Sequence, residues 1–270
     1  MNIPRLLLIL LLSAVPTYLL LLGFIYLSQR TLLYPGAEDI AAPERASWGE
    51  NVSVKTPDGE TLHGLYSEGN PDRPSVLLFF GNGDRVDNYG FLAQALAARG
   101  IGLLAISYRG YPGSTGSPSE NGLLTDGIAA FDWLASRVKG GIVVLGRSLG
   151  TGVAVNTATQ RPATGMILVS PYLSVQSVAQ ARYPFLPVSL LIKDSFRSDL
   201  KIAAVKQPKL FIHGRLDDSI PLSSGEALYR IAAEPKQMLV GERSGHNDIW
   251  NDKTVSEVIH FVESLESDAT

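Results

Sequence analysis

The residue best suited to nucleophilic chemistry is Ser148, at the centre of the sequence GRSLG at 146–150. The apolar run IVVL at 142–145 predicts a buried strand before it, and the segment 150–159 predicts a helix after it. A serine between glycines on such a strand-to-helix turn projects its hydroxyl away from the backbone. The N-terminus of the helix favours the negative charge that develops on an oxyanion during acyl transfer. We therefore interpret Ser148 as a candidate nucleophile.

A serine hydroxyl needs a base to accept its proton, and the chain has four histidines. His63 falls in a predicted hairpin, His213 ends a buried strand and His260 lies on an amphipathic terminal helix, so structural or surface roles are expected for them. His246 stands in SGHND at 244–248, between the last predicted strand and the last helix. This loop lies at the edge of the sheet where the serine also emerges. We predict that His246 is the base.

An acid that orients the histidine is expected between the serine and the histidine in sequence. The segment GRLDDSIP at 214–221 leaves a predicted strand at the same edge of the sheet. Asp217 is the predicted acid, and Asp218 is the alternative, which otherwise faces solvent or caps the next helix. Asp248 is nearer to His246 in sequence, but we interpret it as the N-cap of the final helix.

Acyl transfer also requires two hydrogen-bond donors for the oxyanion. The amide of Leu149, directly after the serine, is the first predicted donor. The second is expected from the glycine-rich turn GNGD at 81–84, which follows a predicted strand at 75–80. Asn82 is the predicted donor in this turn and Gly83 is the alternative.

Strand and helix patterns alternate from residue 75 onward, with connections too long for hairpins. Such alternation predicts an α/β fold with a mostly parallel central sheet and helices on both faces. A Pro-Asp-Gly turn between two alternating segments predicts an antiparallel hairpin that opens the sheet. The hairpin strands are predicted at 51–55 and 61–67, and later strands at 165–169, 209–213 and 237–240.

Two segments between these elements are left open by the sequence. An insertion around 170–207 is longer than a simple crossover, and its apolar residues either pack on the sheet or roof an acyl-sized pocket. The irregular loop 108–118 is expected to shape the rim of the site. Arg109 in this loop has two interpretations, as a tie to carbonyls or a carboxylate and as a substrate-binding group.

The front of the chain predicts a membrane segment. No charged residue lies between Arg5 and Gln29, and 6–27 would span about 33 Å as a helix, enough to cross a hydrocarbon layer. A cleaved signal peptide is the competing interpretation, but the run is long and no small-x-small cleavage site follows it. We predict an anchor at 1–30, a connector at 31–48 and a catalytic domain at 49–268. The positive N-terminal flank favours a single-pass topology with the catalytic domain on the outer, periplasmic or lumenal, side.

Composition excludes several other classes of function. The chain of 270 residues has a net charge of −3, which gives no reason to expect nucleic-acid binding. It contains no cysteine, so thiol nucleophiles, disulfides and cysteine-ligated metals are excluded. The sequence has no phosphate-binding loop, dinucleotide fingerprint or cluster of metal ligands, and we expect neither a cofactor nor a metal.

Taken together, GRSLG, HGRLDDSIP, SGHND and YRGYPGSTGSPSE resemble the α/β-hydrolase superfamily. With its apolar leader and the sequence RTLLYP at 30–35, the chain is similar to the membrane-anchored branch of bud-emergence-related hydrolases and protein depalmitoylases. The likeness covers nearly the whole chain. It implies an α/β-hydrolase fold and a catalytic triad of Ser148, Asp217 and His246.

These inferences predict a membrane-tethered serine hydrolase that acts on acyl esters or thioesters through an acyl-serine intermediate. The expected partners are an acyl ester or thioester substrate and the bilayer around the N-terminal helix. The anchor and the apolar insertion suggest that the acyl group is lipid-like. Two alternatives remain. One is a serine peptidase that uses the same residues, and the other is a non-catalytic, membrane-anchored binding module.

Overall fold

One mixed sheet forms the centre of the protein, whose computed structural model describes residues 3–37, 40–42 and 44–267. The strands in this part of the chain are β1 (Glu50–Lys55), β2 (Thr61–Ser67), β3 (Ser75–Phe79), β4 (Leu103–Ile106), β5 (Ile142–Arg147), β6 (Gly165–Val169), β7 (Lys209–Gly214) and β8 (Lys236–Gly241). Their order across the sheet is β1-β2-β4-β3-β5-β6-β7-β8. The β1–β2 and β2–β4 pairings are antiparallel and the others are parallel. The predicted opening hairpin and mostly parallel sheet are confirmed.

Helices cover both faces of this sheet. The helices of the described residues are α1 (Ile3–Leu33), α2 (Gly90–Ala97), α3 (Glu120–Ala135), α4 (Gly150–Gln160), α5 (Val175–Arg182), α6 (Val188–Leu191), α7 (Leu222–Ile231) and α8 (Asp252–Ser267). The chain moves across the sheet in one direction from β3 to β4 and in the other from β4 to β5. Right-handed crossovers therefore place α2 and α3 on opposite faces. Because α4 packs on α3 and α8 packs on α2, both faces are covered, as predicted.

The central strands are apolar because both of their faces are covered. Every residue of β3, β4, β5, β6 and β7 is buried, which explains their runs of Val, Ile and Leu without polar alternation. The parallel register brings the ends of these strands together, with Phe79 opposite Gly146 and Arg147 opposite Val169. Residues that follow the strands therefore emerge along one edge of the sheet.

The first helix is longer than the predicted anchor. The helix runs from Ile3 to Leu33, whereas the anchor was predicted at 1–30. Residues 1 and 2 of the predicted anchor lie outside the described part of the chain. The segment Leu12–Leu33 is long and apolar enough to cross a membrane, and none of it is buried in the protein. Its length and composition suit a membrane anchor or a signal sequence. The predicted end of the catalytic domain, residue 268, also lies outside the described residues.

An ion pair ties the end of α1 to the rest of the protein. Arg30 donates two hydrogen bonds to the carboxylate of Asp194, from Nε at 2.8 Å and from Nη2 at 3.1 Å. Asp194 is 2% exposed, and it also accepts a hydrogen bond at 2.9 Å from the amide of Glu120, the first residue of α3. A buried carboxylate requires such partners because an unpaired charge is costly to desolvate. The ion pair therefore joins α1 to α3 and to the segment after α6.

Replacing Arg30 by alanine is expected to lower the free energy of unfolding by about 1–3 kcal/mol, because the buried carboxylate of Asp194 would lose its positively charged partner and two hydrogen bonds. Arg161→Ala is the matched control, since Arg161 makes a similar two-point pair with Asp132 at the surface. Its loss should cost under about 1 kcal/mol. Denaturant unfolding in detergent measures both variants. Equal losses would contradict the structural role of the Arg30 pair.

The long segment between β6 and β7 has two parts, of which the 3₁₀ turns pack on α4 and α7 whereas α5 and α6 are less buried. It contains α5 and α6, followed by two 3₁₀ turns at Ser198–Leu200 and Ile202–Ala204. No residue of α5 is fully buried, in contrast to α3 and α4 on the sheet. Its helices pack on each other, and polar contacts join the segment to α1. The segment is thus positioned against the first helix.

The loop between β4 and α3 is held by Arg109. This side chain is 7% exposed and makes hydrogen bonds to the carboxylates of Asp126 at 2.9 Å and Asp58 at 2.7 Å. Its own amide also donates to Asp126 at 2.9 Å. Of the two roles that the sequence left open for Arg109, these contacts support the structural one.

Candidate active site

Ser148 lies on the sharp turn that joins β5 to α4. Its φ of 50° falls in the left-handed region, which a residue with a side chain adopts only when the surroundings impose it. The turn also requires glycine on both sides. A Cβ on Gly150 would lie 2.0 Å from the carbonyl oxygen of Phe79, and one on Gly146 would lie 2.6 Å from the carbonyl oxygen of Gly150. The glycines of GRSLG thus permit the tight packing that positions the hydroxyl.

The structure brings Ser148, His246 and Asp217 together. The Oγ of Ser148 lies 3.1 Å from Nε2 of His246, and Nδ1 of the same ring lies 2.8 Å from Oδ2 of Asp217. These residues follow three different strands, β5, β7 and β8, and meet because the strands end at one edge of the sheet. The fold therefore brings His246 within hydrogen-bond distance of Ser148, 98 residues away in the sequence, and of Asp217, 29 residues away.

The charge on Asp217 is stabilised by several donors. Its Oδ1 accepts hydrogen bonds from the amides of Ser219 at 3.0 Å and Ile220 at 2.7 Å. Burial acts to raise the pKa of this carboxyl, but the hydrogen bonds from His246 and from the Ile220 amide outweigh it and hold the pKa below its usual value. An ionised Asp217 only accepts hydrogen bonds, so Nδ1 of His246 carries the proton. The Nε2 of the neutral ring is then free to accept the proton of Ser148.

The other three histidines have different environments. His213, at the end of β7, is fully buried, and its Nε2 lies 2.9 Å from the carbonyl oxygen of Ile220. Burial lowers the pKa of His213, which keeps the ring neutral. His63 is buried on β2, and burial also lowers its pKa. His260 is exposed on α8. Of the four, His246 is the histidine hydrogen-bonded to Ser148.

The two alternative acids lie elsewhere. Asp218 is exposed, and its carboxylate contacts the hydroxyl of Ser219. Asp248 accepts a hydrogen bond from the amide of Gly245, within its own loop. The interpretation of Asp248 as a helix cap is wrong, because α8 begins later. Asn251 takes that role, and its side-chain oxygen accepts a hydrogen bond from the amide of Thr254 at 3.1 Å.

The turn after β3 lies directly against the serine. A Cβ on Gly81 would lie 3.3 Å from Cβ of Ser148, so the peptide between Gly81 and Asn82 borders the hydroxyl. Among the described residues, neither the amide of Asn82 nor that of Leu149 has a backbone hydrogen-bond acceptor. Two backbone donors close to a serine hydroxyl suit the stabilisation of an oxyanion.

The end of α1 holds Asn82 in place, a link that the sequence did not indicate. The side-chain amide of Asn82 donates to the carbonyl oxygen of Leu33 at 2.9 Å. Its own carbonyl oxygen accepts from the amide of Gly36 at 3.1 Å and from the hydroxyl of Tyr111 at 2.7 Å. These contacts fix the orientation of the turn at 81–84 relative to Ser148.

Asn82→Ala keeps the backbone amide but removes the side-chain bond to Leu33. We expect kcat to fall roughly 10- to 100-fold with little change in KM, because a shift of about 1 Å in an oxyanion donor costs rate more than substrate binding. Asn121→Ala, at an exposed position on α3, is the control. Steady-state hydrolysis of a short p-nitrophenyl ester measures both parameters. A change confined to KM would indicate that the Asn82 side chain contacts substrate instead.

Arg147, the residue before the serine, is a second feature that the sequence analysis missed. It is 9% exposed, and its Nη1 pairs with Asp84 at 3.0 Å. Its Nη2 donates to the carbonyl oxygen of His246 at 3.2 Å. Asp84 in turn accepts a hydrogen bond at 2.7 Å from Tyr89, whose pKa is raised far above its usual value by burial and by this carboxylate. Arg147 therefore joins the turn after β3 to the loop that carries the histidine.

A cleft of about 360 Å³ opens over these residues. Its walls combine polar groups near Ser148 with aromatic side chains further out, namely Tyr89, Phe91 and Trp250. Such a volume lies within the range of small-ligand sites, about 300–1,000 Å³. Within the described residues, no group of three or more histidine, aspartate or glutamate side chains is arranged to hold a metal ion.

The arrangement is chemically suited to acyl transfer. A neutral imidazole next to a serine hydroxyl can accept its proton, and a buried carboxylate stabilises the imidazolium that results. Backbone amides beside the hydroxyl can stabilise negative charge on a tetrahedral intermediate. The same constellation serves esters, thioesters and amides, so the geometry alone does not select the leaving group.

Comparisons with known proteins give relatives along most of the chain. The family described as serine aminopeptidase, S33 matches residues 70–200. An uncharacterized protein of Mycobacterium tuberculosis is 39% identical over 232 residues, which cover 83% of each chain. Protein bem46 of Schizosaccharomyces pombe is 30% identical over 252 residues, covering 85% of this chain and 84% of that protein.

Solved structures share the fold. An esterase of Pyrococcus furiosus superimposes with a TM-score of 0.66 and 18% sequence identity, covering 84% of this chain and 98% of the esterase. At this level of identity the likeness establishes the architecture of the sheet and its helices, and the chemistry must be argued from the residues of this chain.

Proposed function

Since the chain belongs to the α/β-hydrolase superfamily and is related along most of its length to protein bem46, we propose that it is a membrane-tethered serine hydrolase that cleaves esters or thioesters. The observation that carries this proposal is the continuous hydrogen-bonded chain from Ser148 through His246 to Asp217, with distances of 3.1 Å and 2.8 Å. A non-catalytic module has no need of a strained serine aligned with a base and a buried acid.

In the acylation step, Nε2 of His246 takes the proton of Ser148 as Oγ attacks the acyl carbon. The amides of Leu149 and Asn82 stabilise the oxyanion, with Gly83 as the alternative donor. When the tetrahedral intermediate collapses, the imidazolium returns the proton to the leaving alcohol or thiol, and the acyl group remains on Ser148.

In the deacylation step, His246 removes a proton from water, whose oxygen attacks the acyl-serine. Collapse of the second intermediate releases a carboxylic acid and restores the hydroxyl of Ser148. Asp217 orients the imidazole and stabilises its positive charge in both steps. The reaction therefore needs only substrate and water.

A serine peptidase is the second candidate, favoured by the name of the matched family. An aminopeptidase benefits from a free carboxylate that binds the substrate's ammonium group. Among the described residues that line the cleft, the one carboxylate is Asp84, and it is already paired with Arg147 at 3.0 Å. The cleft therefore favours an uncharged acyl group over a peptide N-terminus.

The membrane tether is proposed from α1. The segment Leu12–Leu33 is apolar, unburied and long enough to cross a bilayer. Its ion pair with Asp194 engages Arg30 at the end of α1, which supports a retained anchor because a cleaved helix would leave a buried carboxylate unpaired. From the positive N-terminal flank of α1 and the positive-inside rule, we propose that the catalytic domain lies on the outer side of the membrane.

Fluorophosphonate labelling of the full chain in detergent tests the proposed function. The probe phosphonylates only a serine that a neighbouring base activates, so labelling of the folded protein is expected. Short and long p-nitrophenyl esters, a thioester and leucine p-nitroanilide are then compared by kcat/KM. Hydrolysis of the anilide in preference to the esters would support the peptidase. Absence of labelling in folded protein would support the binding module.

The pH dependence of kcat/KM should report a single titrating group. The pKa of Asp217 lies below its usual value, so this carboxyl is ionised from about pH 5 upward. Burial also lowers the pKa of His213, so its ring becomes neutral at a lower pH than an ordinary imidazole. The proposed mechanism requires one neutral imidazole as the base. We expect log kcat/KM to rise with unit slope as the pH increases and then to level off. A slope of two would show that a second group must also be deprotonated.

A further inference from the structure

The insertion between β6 and β7 runs alongside the first helix. The hydroxyl of Tyr18 donates to the carbonyl oxygen of Phe185 at 2.7 Å. Further along α1, the side chain of Gln29 donates to Leu191 at 3.0 Å and accepts from the amide of Lys193 at 2.7 Å. At about 1.5 Å of rise per residue, Tyr18 and Gln29 lie about 16 Å apart along the helix. The segment from Phe185 to Lys193 therefore follows α1 from about Tyr18 to Gln29.

This arrangement determines how deep the insertion lies if α1 crosses a bilayer, as proposed above. Tyr18 lies about 18 Å along the helix axis from Arg30, and a tilt of about 40° would still leave about 14 Å of depth. The charged pair between Arg30 and Asp194 must remain at or outside the boundary of the hydrocarbon. Because each leaflet contributes about 15 Å of hydrocarbon, Phe185 would lie near the inner end of the leaflet next to the catalytic domain when the ion pair sits at or a few ångströms outside the boundary.

The composition of the insertion agrees with that depth. No charged residue occurs at 183–192, and Lys193 follows directly at the end of the stretch that contacts Gln29, on the side of the membrane interface. The apolar side chains are unusually exposed: Phe185 is 63% exposed and Leu190 is 83% exposed. Exposing these apolar side chains to water is unfavourable in free energy, whereas hydrocarbon chains of lipid solvate them favourably.

Part of the backbone of this stretch meets the requirement of an apolar environment, where an N–H without a partner in the protein is costly. Four of its amides donate to carbonyl groups of the same stretch, those of Leu186, Val188, Leu190 and Ile192. Pro184 and Pro187 have no N–H to satisfy.

An apolar groove of about 550 Å³ lies between the insertion and α1 and is lined by both. The polar side chains in its lining are Tyr183 and Gln29, and the amide group of Gln29 is already bonded to Leu191 and Lys193. The rest of the lining is apolar and offers a continuous surface to a hydrocarbon chain. Its main apolar lining residues are Leu21, Ile25, Leu33, Ala179 and Leu186.

We propose that residues 183–192, the tip of the segment 175–192 here called the α5–α6 hairpin, insert into the adjacent leaflet and that the groove binds one acyl chain of a membrane phospholipid. The proposal rests on the membrane anchoring in the proposed function, but not on hydrolysis. One wall of the groove is α1, the membrane-spanning helix. A bilayer lipid can therefore reach the groove without crossing water. The hairpin then gives the catalytic domain a second membrane contact and a defined orientation.

Spin labels can measure the insertion because the chain has no cysteine, so each introduced cysteine is unique. Phe185→Cys and Leu190→Cys are labelled with a nitroxide in full-length protein reconstituted into phosphatidylcholine and phosphatidylglycerol vesicles. Leu20→Cys on α1, which is 74% exposed, is the control for lipid. Lys139→Cys, exposed before β5 at the opposite edge of the sheet, is the control for water. Collisions with oxygen report lipid, and collisions with a nickel chelate report water.

Labels at 185 and 190 are expected to resemble the label at 20, with high oxygen and low nickel accessibility. High nickel accessibility at both would overturn the insertion. Low accessibility to both reagents would show a protein cover, such as a second copy of the chain, and would also overturn it. Water exposure of the label at 20 would refute the anchor itself, which separates that failure from failure of the hairpin.

Photo-crosslinking tests the groove. Phosphatidylcholine with a diazirine in one acyl chain is expected to label peptides from α5 and from the second half of α1. Ala179→Trp fills the groove from the hairpin and Leu21→Trp from the helix, and each should reduce the labelling at least fivefold. Ala135→Trp, at the exposed end of α3, is the control and should leave it unchanged. Labelling that persists in both groove variants would overturn the proposed lipid site. Fluorophosphonate labelling of the same vesicles reports the hydrolase separately.

Discussion

Ser148→Ala should abolish turnover, with kcat reduced roughly 10⁵- to 10⁶-fold, because the variant has no atom that can form the acyl intermediate. The expected residual rate comes from the oxyanion donors and from substrate binding alone. Hydrolysis of p-nitrophenyl esters and loss of fluorophosphonate labelling measure the effect. Ser136→Ala, at the C-terminal end of α3, is the control and should keep full activity and labelling.

The same substitution should leave the stability almost unchanged. Alanine at 148 has the same Cβ as serine and meets the same steric cost at a φ of 50°. The lost hydrogen bond to His246 is worth about 1 kcal/mol or less. Thermal unfolding of the two proteins distinguishes a chemical from a structural defect. Full activity of a folded Ser148→Ala protein would refute the mechanism.

Asp217→Asn should reduce kcat about 10⁴-fold through the tautomer of His246. The Oδ1 of Asp217 accepts hydrogen bonds from the amides of Ser219 and Ile220. An asparagine must keep its oxygen towards these amides, so its NH₂ group faces Nδ1 of the imidazole. Nδ1 then becomes an acceptor and the ring proton moves to Nε2. A protonated Nε2 cannot accept the proton of Ser148.

Asp218→Asn is the matched control for this prediction. Asp218 is the next residue in the same loop, but it is exposed and makes no contact with His246 among the described residues. Its kcat should stay within a factor of about two of the original, as expected for a surface substitution. Esterase assays on both variants settle the assignment. The reverse order of activities would make Asp218 the acid.

Local patterns in the sequence predicted the layered fold. The strands β3, β5, β6 and β7 are buried along their whole length because helices cover both faces of the sheet, and this burial leaves runs of apolar residues in the sequence. The turn at Ser148 was equally visible, since its geometry admits only glycine at 146 and 150. Boundaries were less exact, and the cap of α8 was wrongly placed at Asp248 instead of Asn251.

Contacts between segments that are distant in sequence were not predictable. Nothing around Leu33 indicates that its carbonyl binds Asn82, and nothing around Tyr18 indicates that it reaches Phe185. Each contact depends on how α1 packs against the rest of the chain. The buried role of Arg147 is similar, because its partner Asp84 lies 63 residues away and reaches it only through the pairing of β3 with β5.

The architecture and the candidates for chemistry can be read from local residue patterns: a mostly parallel sheet, a serine on a glycine-flanked turn, a histidine and two neighbouring aspartates after later strands, and an apolar leader. Which aspartate faces His246 and how the first helix meets the insertion depend on the packing of whole elements. The difference is one of range. Burial and backbone sterics act on neighbouring residues and so leave local patterns, whereas a hydrogen bond across the fold depends on the relative positions of whole elements.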